Sequence, residues 1–365
     1  MRTLEQLTVD ACARQAESLS GPPAQWNPRS IFVLRNNDIG DLLIVTPLFE
    51  CLRRRFPATE IVAGVGEWAA PVLIGNPHLS RVFPLNAPWF NKYSGARGPW
   101  RRLRYVQRSP EVDSLRRERF EVGIDVLGSS WGHLLFAQAR IPGRLGVRGY
   151  AGGLEDPART VPFDPEEHVG RTALRLAELL GARELPSLRP QIFLRRHERE
   201  RGDALWPAAE TSSRTRVLVA PGGGVNARRW PIEAYADLLA RITQRDDADV
   251  LLVTGPAEEE LVARLREAAP RVRAPQHVLT LREAFAAVAA ADLVVANSSM
   301  LMHAAAAFDK PALVLLGPGF RSARDHQRQW GYEGITTTLG PEAMQAPPSV
   351  DEAALVLRRM LESRR

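Results

Sequence analysis

Residues 31–56 read "IFVLRNNDIGDLLIVTPLFECLRRRF". Ile31 to Leu34 form a short run rich in β-branched and aromatic side chains, the kind that fills a buried parallel strand. From Leu42 onward apolar residues recur at helical spacing, and the closing Arg53, Arg54 and Arg55 suit the negative end of a helix. Strand, tight loop and helix make the opening unit of an open α/β sheet, where loops at the carboxyl ends of strands bind ligands. Gly40 and Asp41 fall at that edge. Asp41 has two readings, a cap for the helix or a carboxylate presented to a ligand, and the stretch alone leaves both open.

The same alternation continues. Strands are expected at 60–66, 81–85 and 121–127, a turn-rich connection at "RIPGRLGVRG" (140–149), and an amphipathic helix at 166–182 closed by Gly181. A polar, proline-containing region from Arg183 to Ser213 follows, holding a short strand candidate, "QIFL" (191–194). The pattern then restarts: strands at 216–224, 249–255, 292–299 and 311–319, with helices at 231–243, 257–269, from Leu281 and from Met300. A last helix is expected from Asp351 to Glu362. Two such series predict two parallel-sheet domains, and a cleft between α/β domains is a favoured ligand site.

Composition narrows the function classes. The 365 residues carry a net charge of +6, and nearly all the basic residues are arginine, with Lys92 and Lys310 the only lysines. No aromatic-rich recognition module accompanies that charge, so nucleic-acid binding is not expected. No apolar run approaches the roughly 20 residues of a membrane helix. The N-terminus, with Glu5 and Asp10, reads as an amphipathic helix from Leu4 to Ala16 rather than a signal peptide, which points to a cytoplasmic protein. Cys12 and Cys51 form neither a disulfide framework nor a metal site.

Three further stretches could carry chemistry. "APGGGVNARRWP" (220–231) runs from a strand into Gly222, Gly223 and Gly224, then Arg228 and Arg229. Glycines expose backbone N–H groups and arginines add charge, which suits a phosphate, although a plain turn has the same look. In "ANSSMLMHAAAAF" (296–308), Asn297, Ser298 and Ser299 end a strand, and Ser299 can cap the helix that follows. That helix start is an anion site in waiting, and His303, one turn in, is either packing or part of it. The arginine-rich segment 96–120, with Arg101, Arg102 and Arg104 beside Trp100 and Tyr105, is either a solvated helical face or a surface for an anionic acceptor or phospholipid head groups. No His/Cys/Asp/Glu cluster has metal-ligand spacing, so no metal or other cofactor is expected.

In this order the motifs resemble glycosyltransferase family 9, the ADP-heptose:lipopolysaccharide heptosyltransferases. The matching pieces are Gly40-Asp41, Thr46-Pro47, "CLRRRFPATEI", "IGNPHLSRVFPL", "PGRLGV", "PGGGVNARRWPIEAYADLL" and "NSSMLMHAAAAFDKPALVLLGP", spanning roughly residues 31 to 335. The resemblance implies a GT-B architecture of two Rossmann-like parallel-sheet domains facing a central cleft. An acceptor-side domain would occupy 1–190 (1–30 a helical extension) and a nucleotide-sugar domain 191–340. Residues 341–365 would form a helix able to pack back on the first domain.

The resemblance also implies inverting, metal-independent transfer of a heptose from a nucleoside-diphosphate sugar, ADP-heptose in the family. The acceptor would be an anionic glycolipid, a protein or a small glycoside, with peripheral contact to the inner membrane. Asp41 matches the catalytic base. Gly40, the three loop glycines and Arg228 would meet the donor, together with Ser298, Ser299, Met300, Leu301 and His303. Glu259 loosely matches an acidic residue on the ribose. Ser298 departs from the family pattern, which has an acidic residue there, and this leaves the donor open. The alternatives are a relative using another nucleotide sugar and a non-catalytic nucleotide-sugar-binding protein. A dinucleotide oxidoreductase is disfavoured, since neither domain has Gly-x-Gly-x-x-Gly after a strand.

Overall fold

The computed structural model describes residues 19–94, 98–207, 214–223, 228–245, 247–256, 258–342 and 346–363. The expected helix from Leu4 to Ala16 lies outside them. The chain divides into two compact units, one ending at Gln191 and the other beginning at Ile192.

The first unit contains β1 (Ser30–Leu34), α1 (Ile39–Arg55), β2 (Glu60–Val65), β3 (Arg81–Pro84), α2 (Pro99–Arg108) and α3 (Pro110–Glu118). Then come β4 (Val122–Asp125), α4 (Ser130–Gln138), β5 (Gly143–Arg148), β6 (Thr160–Pro162) and α5 (Val169–Leu179). The sheet is parallel, in the order β3-β2-β1-β4-β5-β6. This is the dinucleotide-fold order, and its direction reverses between β1 and β4, where a crevice opens at the strand ends. Phe32 on β1 anchors the core, its ring edge-on to Phe83 and Phe136 and tilted against Phe120. Gly64 on the neighbouring β2 is small because any side chain there would run into the Phe32 ring.

The segment 140–149 corrects the expectation of a turn: it holds β5, an inner strand. Gly143 is there for close approach, since a Cβ on it would lie 2.9 Å from the Glu121 carbonyl oxygen. "QIFL" is no strand, because side chains take its backbone groups. The Gln191 N–H donates to Thr46 Oγ1 at 2.7 Å, and Arg282 donates to the Phe193 carbonyl at 2.6 Å.

The second unit contains α6 (Arg196–Asp203), β7 (Thr215–Ala220), α7 (Ile232–Thr243), β8 (Ala248–Leu252), α8 (Glu259–Ala268) and α9 (Leu281–Ala290). It continues with β9 (Leu293–Ala296), α10 (Met300–Ala307), β10 (Ala312–Leu315), α11 (Ala323–Trp330), β11 (Thr336–Leu339) and α12 (Val350–Glu362). Its parallel sheet has the order β11-β10-β9-β7-β8, the other common doubly wound arrangement, reversing between β7 and β9. The closing helix α12 packs within this unit. Ala353, Leu357 and Leu361 are buried in the same core as α7 and β10, because their four-residue spacing makes one apolar stripe.

Helix α6 and the last strand, β11, lie where the sequence shows mostly polar residues. Tertiary contacts hold α6: it packs along α9, and Gly202 lets the Ala286 backbone approach. Its Glu198 meets Arg282 at 2.6 Å with both side chains nearly buried. Those bonds hold the Glu198 carboxyl at about 2, below its ordinary 4.5. The pair therefore stabilises the fold fully above about pH 4.5, and that contribution is lost as pH falls from there through about 2. At neutral pH it amounts to about 3 kcal/mol. Urea unfolding at pH 7 and pH 3 should show a loss on acidification that is much smaller in Glu198→Gln. An equal loss in both proteins would refute the assignment.

Candidate active site

At the switch point of the second unit, the loop after β7 meets the loop after β9. Asn297, 2% exposed, ties them together. Its Oδ1 accepts from the Trp230 N–H at 3.0 Å and the Tyr235 hydroxyl at 3.2 Å, and its amide donates to the Pro221 carbonyl at 2.5 Å. Gly223 adopts φ +86°, a left-handed conformation that favours glycine, and a Cβ there would lie 3.2 Å from Ser299 Cβ. The glycine loop is thereby laid against the start of α10.

Ser299 occupies the N-cap position of α10, yet its hydroxyl makes no capping bond. The first-turn N–H groups of Met300 and Leu301 are left for a ligand, with the helix dipole favouring an anion. Arg228 is exposed, its guanidinium 5.5 Å from the centre of the Phe320 ring. Arg229 is pinned, donating to the Gly223 carbonyl at 2.9 Å and to Glu258 at 2.9 Å. One arginine thus braces the loop and its neighbour is presented outward.

Glu258, one residue before the expected Glu259, is the carboxylate of this loop cluster. It accepts from the Gly223 N–H at 3.1 Å and the Gly255 N–H at 2.7 Å, and any side chain at Gly222 would collide with it. Glu259 starts α8 and faces outward beside Val262 and Arg266. Ser298 Oγ lies 2.8 Å from His326 Nε2. His303 is buried, with its Nδ1 2.8 Å from the Tyr332 hydroxyl and the two rings edge to face. Gly224 lies outside the described residues.

In the first unit, the switch point between β1 and β4 places the loop 35–38 and the start of α1 at the sheet edge. Asp38 holds the N-cap position, and Gly40 and Asp41 are the second and third residues of α1, so Asp41 is not the cap. Arg35, almost fully buried, donates from Nη2 to Asp41 Oδ1 at 3.3 Å and from Nε to the Asp41 carbonyl at 3.2 Å. Asp41 keeps 30% of its side chain exposed, and its Oδ2 has no hydrogen-bond partner among the described residues. Burial lifts the neighbouring Asp38 carboxyl above its usual range, opposed by the Lys92 N–H that donates to it at 3.2 Å.

Asn36 and Asn37 pin the loop around residues 87–90 beside Asp38, donating to the carbonyls of Ala87, Trp89 and Phe90. On α2, Arg101 and Arg104 are exposed and Trp100 is 80% exposed. Arg102 is half-buried between the rings of Phe90 and Trp131, each about 5.9 Å away.

Arg35, Glu258 and His326 are the site residues the sequence reading missed, and it named Asn297 and Arg229 without their bracing roles. Glu258 alone carried a signal, an acidic residue just past a strand end.

Residues 112–326 match the profile of glycosyltransferase family 9 (heptosyltransferase). Lipopolysaccharide heptosyltransferase 2 of Salmonella typhimurium is 29% identical, over 79% of this chain and 82% of that protein. The structure of Escherichia coli ADP-heptose lipopolysaccharide heptosyltransferase II superposes with a TM-score of 0.69 at 20% identity, covering 92% of this chain and 99% of that one. A family 9 glycosyltransferase of Veillonella parvula superposes with a TM-score of 0.71 at 17% identity, covering 92% and 97%. These likenesses show the GT-B fold. With more than half of its length inside the profile, the chain belongs to glycosyltransferase family 9, the heptosyltransferase family.

Proposed function

We propose that the protein is an inverting, metal-independent heptosyltransferase that uses ADP-heptose as donor and an anionic glycolipid of the lipopolysaccharide core as acceptor. The reading is carried by the convergence, at one switch point, of the left-handed Gly223 loop and the uncapped α10 N-terminus beside Arg228. Backbone N–H groups, a helix dipole and an outward cation together suit a diphosphate. The names of the Salmonella and Escherichia relatives support the sugar and the acceptor class.

In the proposed step, Asp41 Oδ2 takes the proton of the acceptor hydroxyl while that oxygen attacks the anomeric carbon. The bond from that carbon to the diphosphate oxygen breaks, and ADP departs from the opposite face, inverting the centre. Arg35 holds the other carboxylate oxygen so that Oδ2 is the one presented. Arg228 and the N–H groups of Met300 and Leu301 take up the charge developing on the leaving diphosphate. Arg101 and Arg104 on α2 meet the anionic acceptor, acting from the cytoplasmic side of the membrane. No helix among the described residues is long and apolar enough to cross that membrane.

Mass spectrometry of the protein with ADP-heptose and a heptose-lacking core acceptor should show addition of one heptose, undiminished by a chelator. Arg101→Ala/Arg104→Ala should raise the acceptor KM by about tenfold, the scale of losing one or two charge contacts. Tight ADP binding without transfer would overturn the catalytic reading, and loss of activity on chelation would overturn the metal-free step.

A further inference from the structure

We propose that His326 is a positioning residue that fixes Ser298 as a hydrogen-bond donor toward an anionic oxygen bound at the start of α10. The inference rests on the donor-site reading above and deepens it. His326 lies on the inner face of α11, only 4% exposed. Its Nε2 is 2.8 Å from Ser298 Oγ, and its Nδ1 is buried without a hydrogen-bond partner among the described residues.

Those two facts decide the tautomer. A proton on Nδ1 would bury an N–H with no acceptor, whereas a proton on Nε2 leaves only a lone pair unmatched. Orphaned buried donors are the rarer and costlier defect. Nε2 therefore carries the proton and donates to Ser298 Oγ. Burial also pushes the ring down to about 4, so at neutral pH it is uncharged and has a single proton to place. The Ser298 hydroxyl, accepting from His326, must send its own proton elsewhere, and no acceptor for it exists among the described residues.

Ser298 is partly exposed, immediately before the N-cap of α10. Its O–H thus joins the first-turn N–H groups as a further donor for the same anion. Phe320 links this to the cation. Its ring meets His326 edge-on, centroids 5.3 Å apart, and lies under the Arg228 guanidinium. One packing unit holds both the hydroxyl and the positive charge.

Isothermal titration of ADP into the full-length protein tests this. Ser298→Ala should weaken ADP binding about tenfold, the scale of one hydrogen bond to a charged group. His326→Leu should match Ser298→Ala, and His326→Gln, whose amide N–H can replace Nε2–H, should recover to within about threefold of wild type. Nitrogen NMR of labelled histidine should show the Nε2–H form. Unchanged binding in Ser298→Ala or His326→Leu, or an Nδ1–H tautomer, would overturn the proposal. A wild-type protein that does not bind ADP would instead overturn the donor-site reading, which keeps the two failures distinct.

Discussion

Asp41→Asn is expected to lower kcat by roughly 10²–10⁴-fold, the contribution of a general base, while leaving ADP affinity and thermal stability nearly unchanged. Asparagine is the informative replacement because of Arg35. That guanidinium is almost wholly buried and donates to Asp41 Oδ1. Alanine would leave a buried cation without its partner and add a folding defect to any catalytic one. Asparagine still offers an oxygen to Arg35 but carries no basic oxygen at Oδ2. ADP binding should be untouched, since the proposed diphosphate site belongs to the second unit. Steady-state kinetics with saturating donor, alongside ADP titration, separates the outcomes. Activity within about threefold of wild type would mean that the base is another group.

The second large effect is structural. Asn297→Ala should destabilise the second unit by roughly 3–5 kcal/mol, a large share of the 5–15 kcal/mol typical of a domain. Alanine leaves the buried Trp230 N–H and Tyr235 hydroxyl without their acceptor and the Pro221 carbonyl without its donor. Each unpaired buried group costs about 1–3 kcal/mol. The same bonds hold the glycine loop in place, so ADP affinity should fall along with the urea midpoint. A stability loss below about 1 kcal/mol would show that Asn297 does not clamp the two loops.

Periodicity made most of the architecture legible. β1, β2, β4, β7, β9 and β10 are continuous apolar runs because both faces of a parallel sheet are covered, and α1, α5, α7 and α12 show apolar residues at helical spacing. Where the expectation failed, composition pointed away from tertiary context. β5 carries glycines that look like a turn, of which Gly143 admits neighbouring backbone, and α6 is polar because Glu198, accepting from the Arg195 N–H and paired with Arg282, holds it. QIFL has strand composition, yet Thr46 and Arg282 occupy its backbone groups.

The site was legible as motifs and illegible as geometry. The sequence alone determined the two series of strands and helices, the glycine loop, the serines before α10, and Gly40-Asp41 at a strand edge, because these are local patterns of a few residues. Only the tertiary structure decided that Asp41 is held by Arg35 and is not a cap, that Glu258 rather than Glu259 enters the loop cluster, and that Arg228 is presented while Arg229 is pinned. Adjacent residues on a loop differ in direction by backbone torsions that composition does not encode. Ser298 belongs to the same class. Its partner His326 is 28 residues away on a helix whose buried face is defined only once β9 and β10 lie side by side.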